Sequence, residues 1–262
     1  MAPTKGLTKG MTLPLDGYSS TPSEQYAWQV ATQDQWRSCM AGYGFKNFNP
    51  PAPSLQLAVT AADSDMGRRY GVADLETAKK RGYHLPETPE PPRWEPAKGA
   101  EEAVFTGSGT EISDGTYNGQ KIPLGGCRGE AKRMFPMPQT PEVANAEGRA
   151  FSAAKEDMSV KQAIAQWSAC MNKRGFEIKT PLDDLSSLGV SVNSPTPSAR
   201  EIEVATADVE CKRDTKLVEL WHKNEESKQQ GEIAKAASKL DKERNEKNDM
   251  AKKATQAYKM QD

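Results

Sequence analysis

Gln35-Trp36-Arg37-Ser38-Cys39-Met40-Ala41-Gly42-Tyr43-Gly44-Phe45 recurs as Gln166-Trp167-Ser168-Ala169-Cys170-Met171-Asn172-Lys173-Arg174-Gly175-Phe176. With Pro50 and Pro181, the two stretches share seven identities over sixteen positions without a gap. Trp, Cys and Met are rare residues, so chance explains the match poorly and the chain holds an internal repeat. Two copies are too few for a solenoid; two related helical halves packed together are expected. In the second copy Val160, Ala163, Ile164, Trp167, Cys170 and Met171 share one face at helical spacing, with Ser159 as N-cap and Gly175 as stop. In the first, Thr21-Pro22-Ser23-Glu24 makes a capping box with proline at the first helical position, and Gly42 or Gly44 supplies the stop. Trp36, Met40 and Phe45, like Trp167, Met171 and Phe176, therefore read as a structural repeat in the core rather than a cofactor box.

The four cysteines, Cys39, Cys127, Cys170 and Cys211, form no C-x-x-C pair, and zinc-finger spacing is absent. Four buried thiols are the plain alternative to two disulfides. The chain is short of large aliphatic residues: Val, Ile, Leu and Phe number 37 of 262, below the ~20% of a well-filled core. Stapling serves such a chain. A weaker echo, Cys127-Arg128-Gly129-Glu130-Ala131-Lys132 against Cys211-Lys212-Arg213-Asp214-Thr215-Lys216, gives each half one cysteine of each kind. An ancestral unit had to satisfy its own pair, so Cys39–Cys127 and Cys170–Cys211 are expected.

The rest of the chain is organised around these halves. Residues 1–140 read as the first half, 141–230 as the second, and 231–262 as a projecting charged helix. Asp74 caps a short helix that stops at Gly82. Residues 86–97, proline-rich and acidic, read as an extended linker or surface strap, and Asp114-Gly115 and Asn118-Gly119 signal one or two short β-ribbons within 106–126, an exposed flexible loop being the alternative. From Ser198, which forms a capping box with Glu201, no proline interrupts the chain. An almost continuous helix from about Ala199 to at least Leu240 is expected. Beyond Gly231 the apolar positions thin to Ile233, Ala236, Ala237 and Leu240 without a heptad, so this end is expected to project and to meet a protein partner. The fold class is mainly α with a small β-ribbon insertion: two disulfide-stapled halves and a long C-terminal helix.

The 35 basic and 36 acidic residues leave a net charge of −1, which removes any global argument for nucleic acid or an anionic membrane. No apolar run is long enough for a transmembrane helix. The opening residues lack an apolar h-region, so no signal peptide is expected in this sequence. Histidine is the usual general base, and the two present are His84 and His222. The nucleophile elbow G-x-S-x-G and the zinc motif H-E-x-x-H are absent. No cofactor and no metal site are expected. Asp63, Asp65, Asp74 and Glu76 read first as capping residues, and Asp183-Asp184 as solvated loop carboxylates.

A motif order runs through the chain. The first W-x-x-C-M-x-x-x-G-F is followed by Arg69-Tyr70-Gly71-Val72, Ala78, Gly82-Tyr83-His84, Ile122-Pro123-Leu124-Gly125-Gly126-Cys127 and Gly129-Glu130-Ala131. The second W-x-x-C-M-x-x-x-G-F, Ala207-Asp208-Val209 and Cys211-Lys212 complete it. From residue ~13 to ~230 this order resembles a group of uncharacterised secreted proteins and lipoproteins of actinobacteria. The resemblance implies export and an extracytoplasmic home, and it supplies no catalytic residues. The signal or lipobox cysteine with which such proteins begin is not in this sequence. Two functions of different class follow as expectations. One is a non-catalytic extracytoplasmic binding or assembly protein of the bacterial cell envelope. The alternative is a hydrolase acting on envelope material, with a site in a cleft near Asp74 and His84.

Overall fold

A computed structural model describes residues 2–85, 93–192 and 194–259. The chain is mostly helical with one two-stranded antiparallel ribbon. A 3-10 turn (Pro14–Tyr18) leads to α1 (Pro22–Gly42), α2 (Leu55–Gly67), α3 (Leu75–Arg81) and α4 (Ala100–Thr106). Strands β1 (Thr116–Tyr117) and β2 (Gln120–Lys121) precede α5 (Gly126–Met134), α6 (Pro141–Lys155) and α7 (Met158–Lys173). Helices α8 (Ala199–Asp214) and α9 (Leu217–Lys259) complete the chain.

Local chemistry accounts for the element ends. The Thr21–Glu24 capping box forms reciprocally at the start of α1. Asp74 caps α3, whose carboxylate accepts from the Thr77 N–H, and Gly82 closes it. The two repeat helices end alike. Phe45 N–H donates to the Met40 carbonyl and Phe176 N–H to that of Met171, each across a glycine in the left-handed region, Gly44 and Gly175. Both Asx-Gly pairs of the insertion, Asp114-Gly115 and Asn118-Gly119, have positive φ at both residues, as type I′ turns demand. The second pair joins β1 to β2, with Tyr117 opposite Gln120.

Several sequence expectations are corrected. Asp157, not Ser159, caps α7, with its carboxylate on the Ser159 N–H. The capping box at Ser198 is half made: Ser198 accepts the Glu201 N–H, while the Glu201 carboxylate is taken by Tyr83 and His84. The expected continuous helix breaks at Thr215-Lys216, where Lys216 has φ +53°. Gly231 lies inside α9 without breaking it, and the kink falls at Ala236. The weaker cysteine echo does not mark equivalent places, since Cys127 opens α5 and Cys211 lies near the end of α8. The strap expected over 86–97 falls outside the described residues at 86–92.

The chain forms two compact units. Unit 1 takes Met1–Tyr18, Val59–Thr88 and Pro141–Asp241, and unit 2 takes Ser19–Ala58, Pro89–Thr140 and Lys242–Asp262. In unit 1, α8 packs on α7 and on α3. Its core gathers Trp167, Met171, Tyr70, Leu217 and Trp221, all fully buried. The Cys170–Cys211 disulfide joins α7 to α8. In unit 2, α5 packs on α1 and α4, and Cys39–Cys127 joins α1 to α5. Its core is aromatic, with Trp36 and Phe48 against Phe105 and Trp94 edge-on to Phe48. Phe45 sits half-buried beside Tyr117, and Met40 is fully buried. The disulfide pairing is the one the repeat implies.

The far end of α9 does not project as a solvated arm. Within unit 1, Leu240 is fully buried against Leu15, Tyr18, Val143 and Ala146. Within unit 2, Ala254 is buried with Ala31 and Phe135, and Lys247 reaches Glu24 at 3.2 Å. The buried stripe of α9 runs through polar residues as well as apolar ones: Trp221, Glu225, Gln229, Leu240, Lys247, Ala251 and Ala254.

Candidate functional site

The sequence candidates His84 and Asp74 sit at opposite ends of α3 and do not share a site. Asp74 is spent on the helix N-terminus. It accepts from the Thr77 N–H at 2.8 Å and from the Thr77 hydroxyl, with Lys5 3.7 Å away. Burial works to raise its carboxyl, but the Thr77 and Lys5 contacts outweigh that and hold it below the usual carboxylate range. Asp65 is exposed, Glu76 pairs loosely with Lys79, and the side chain of Asp63 lies outside the described residues. Asp183 and Asp184 accept from Thr180 and Ser186, holding their own loop. His222 donates through Nε2 to the Thr12 carbonyl.

His84 belongs to a buried polar network built from α2, α3 and α8. Just past α3, its Nδ1 lies 2.7 Å from Glu201 Oε1, and its Nε2 lies 2.8 Å from the Ser194 carbonyl. The Glu201 side chain is 1% exposed. Its Oε1 also accepts the Tyr83 N–H at 2.8 Å. Gly82 is required here: φ is +55°, and a Cβ would lie 2.5 Å from Glu201 Oε1. From the end of α2, Arg68 donates to the Tyr83 and His84 carbonyls at 2.7 and 2.8 Å. Since both partners of the imidazole are acceptors, the protonated ring satisfies both. The Ser194 carbonyl, then Glu201, raise its pKa above the ordinary value.

Two turns along α8, Asp208 and Lys212 form a fully enclosed pair at 3.0 Å. Asp208 also accepts from Trp167 Nε1 at 2.9 Å and from the Tyr83 hydroxyl at 3.2 Å. Lys212 donates to the Val72 carbonyl at 2.8 Å. At Gly71, with φ +82°, a Cβ would lie 2.7 Å from the Lys212 nitrogen. Burial pushes the Asp208 carboxyl up and the Lys212 ammonium down, while each opposes the other's shift. A third group centres on Glu225, fully buried. Arg69 Nε donates to it at 2.8 Å and the Tyr70 hydroxyl at 2.9 Å, while Gln229 links it to the Leu15 N–H.

The sequence reading missed Glu201, Lys212, Glu225 and Gln229 as interior residues, because a buried charge resembles a solvated one in a pattern of polarity. The motif order could have found Lys212, which belongs to it, and it names the partners of the others: Tyr83 and His84 meet Glu201, and Arg69 and Tyr70 meet Glu225. The motif of unit 2 is packing of another kind. At Gly126, a Cβ would collide with the Gly107 nitrogen and the Phe105 carbonyl. Trp36 Nε1, the counterpart of the bonded Trp167 Nε1, is buried without a partner. Beside Cys170–Cys211 lies an open groove of about 440 Å³, lined by Gln166, Ala169, Cys170, Lys173, Arg174 and Thr215. Arg174 there is paired with Glu210. Among the described residues, no three His, Cys, Asp or Glu side chains are grouped to hold a metal. No protein-family model, no curated protein and no solved structure matches this chain.

Proposed function

We propose that the protein is a non-catalytic extracytoplasmic binding or assembly protein of the bacterial cell envelope, of the kind its actinobacterial motif order resembles. The observation that carries this reading is the state of His84. A general base needs a free lone pair within reach of substrate, and here both ring nitrogens face acceptors. Asp74, the other residue of the hydrolase alternative, is spent on a helix cap. Two disulfides support an oxidising compartment. Among the described residues, no helix is long and apolar enough to cross a membrane. The partner is a protein that meets α9 on its solvent-facing side within unit 1, where Lys235 and Lys239 are exposed. The buried stripe of that helix is already used.

The test is co-sedimentation with purified actinobacterial cell envelopes, with soluble fragments measured in the supernatant. Retention without fragment release is expected, weakened by reversing the two lysines to glutamate. Fragment release that disappears in His84→Gln or Asp74→Asn overturns the reading in favour of the hydrolase.

A further inference from the structure

The segment Ser194–Pro197 leads into α8 with few anchors among the described residues. Its own hydrogen bonds are local: the Ser194 N–H and hydroxyl donate to the Ser191 carbonyl, and the hydroxyl also lies within reach of the Thr196 carbonyl. Apart from these, among the described residues, the hydrogen bond that ties this segment to the rest of unit 1 is the one from His84 Nε2 to the Ser194 carbonyl. We propose that His84 is a pH-operated latch: doubly protonated, it clamps the Ser194–Pro197 segment to α8 through Ser194 and Glu201, and on losing a proton it releases that segment.

The geometry sets the direction of the switch. A neutral imidazole has one N–H and one lone pair, so it cannot satisfy two acceptors. The retained proton stays on Nδ1, because a hydrogen bond to the Glu201 carboxylate is charge-assisted and stronger than one to a neutral carbonyl. The Nε2 lone pair then faces the Ser194 oxygen and that contact turns repulsive. The ring stays where it is because its Nδ1 remains bonded to Glu201 Oε1 at 2.7 Å, and Glu201 is itself held by the Tyr83 N–H. The release therefore falls on the segment. The charged groups that face the ring are Glu201 from α8, which favours its protonated form, and Arg68 from α2, which opposes it. Tyr83 turns its hydroxyl to Asp208, and the segment itself presents only the Ser194 carbonyl. Acidification closes the latch and alkalinisation opens it.

The experiment follows the full-length oxidised protein by NMR from about pH 5 to about pH 9, across the range in which histidine titrates. The His84 ring nitrogens report protonation, with His222 as internal reference. Amide exchange of Ser194, whose N–H is bonded to the Ser191 carbonyl, corrected for the intrinsic effect of pH, reports the segment. Protection is expected to fall by about tenfold for each unit by which the latch raises the His84 pKa. The fall shares its midpoint with the His84 titration and is absent from the amides of unit 2. In His84→Gln the step disappears. Protection that is flat across the His84 titration, or a ring that carries a single proton at about pH 5, overturns the proposal. The wild-type titration decides the matter even where the variant folds poorly.

Discussion

Trp36 and Trp167 occupy equivalent places in the repeat and differ in one contact. Trp167 Nε1 donates to Asp208, and Trp36 Nε1 has no partner. Phenylalanine at either position removes the same indole edge, so the difference between the two variants reads the hydrogen bond. Trp167→Phe should cost about 1.5–3 kcal/mol more than Trp36→Phe, because it strips a donor from a buried carboxylate. Urea unfolding of the two variants measures it. His84 adds a pH dependence. Its pKa is raised in the folded protein, by the Ser194 carbonyl and then by Glu201. Its contribution is thus fully present below the unfolded value of about 6.5 and is lost as pH rises through the folded one. The melting temperature of wild type should exceed that of His84→Gln most on the acid side, the gap closing towards alkaline pH. A gap that widens with pH contradicts the charged pair.

At the scale of elements, α9 shows why a polarity pattern can miss a docked helix. Its buried positions recur at helical spacing from Leu217 to Gln229 and again from Lys247 to Ala254, with Leu240 between, but Glu225, Gln229 and Lys247 stand among them. Each is buried because a partner on another element meets it: Arg69 and Tyr70, the Leu15 N–H, and Glu24. Read by hydropathy alone the stripe dissolves after Gly231, and the helix looks solvated. Leu240→Ala should therefore cost about 2–5 kcal/mol, the price of a truncated, fully buried leucine, and chemical denaturation of unit 1 reads it. A loss below ~0.5 kcal/mol, as for a surface position, would mean that this part of α9 is not docked.

Each unit has its own buried core and its own disulfide. Each unit contains a W-x-x-C-M helix, a seven-residue helix closed by a glycine, and a helix that supplies the second cysteine. Their chain order differs: α1, α4, α5 in unit 2, but α3, α7, α8 in unit 1. Closing loops of 88 and 41 residues, each disulfide should contribute roughly 4–5 kcal/mol in the chain-entropy model. Cys39→Ala/Cys127→Ala should lower amide protection in unit 2, and Cys170→Ala/Cys211→Ala in unit 1. Hydrogen exchange of the two double variants checks both the size and the location of each loss.

The sequence by itself determined what local chemistry governs. Capping residues, Asx-Gly turns and helical periodicity act over a few residues, so α1, α3, α7 and the β-ribbon were legible; the expected disulfide pairing holds, although the echo around Cys127 and Cys211 behind it does not mark equivalent places. Tertiary structure alone decided which charges are interior. Glu201, Asp208, Lys212 and Glu225 have the composition of a solvated face. They are buried because residues over a hundred positions away, Tyr83, Val72 and Arg69, supply their hydrogen bonds. A buried charge is stable only when such partners meet it, and that meeting is a property of the packed molecule.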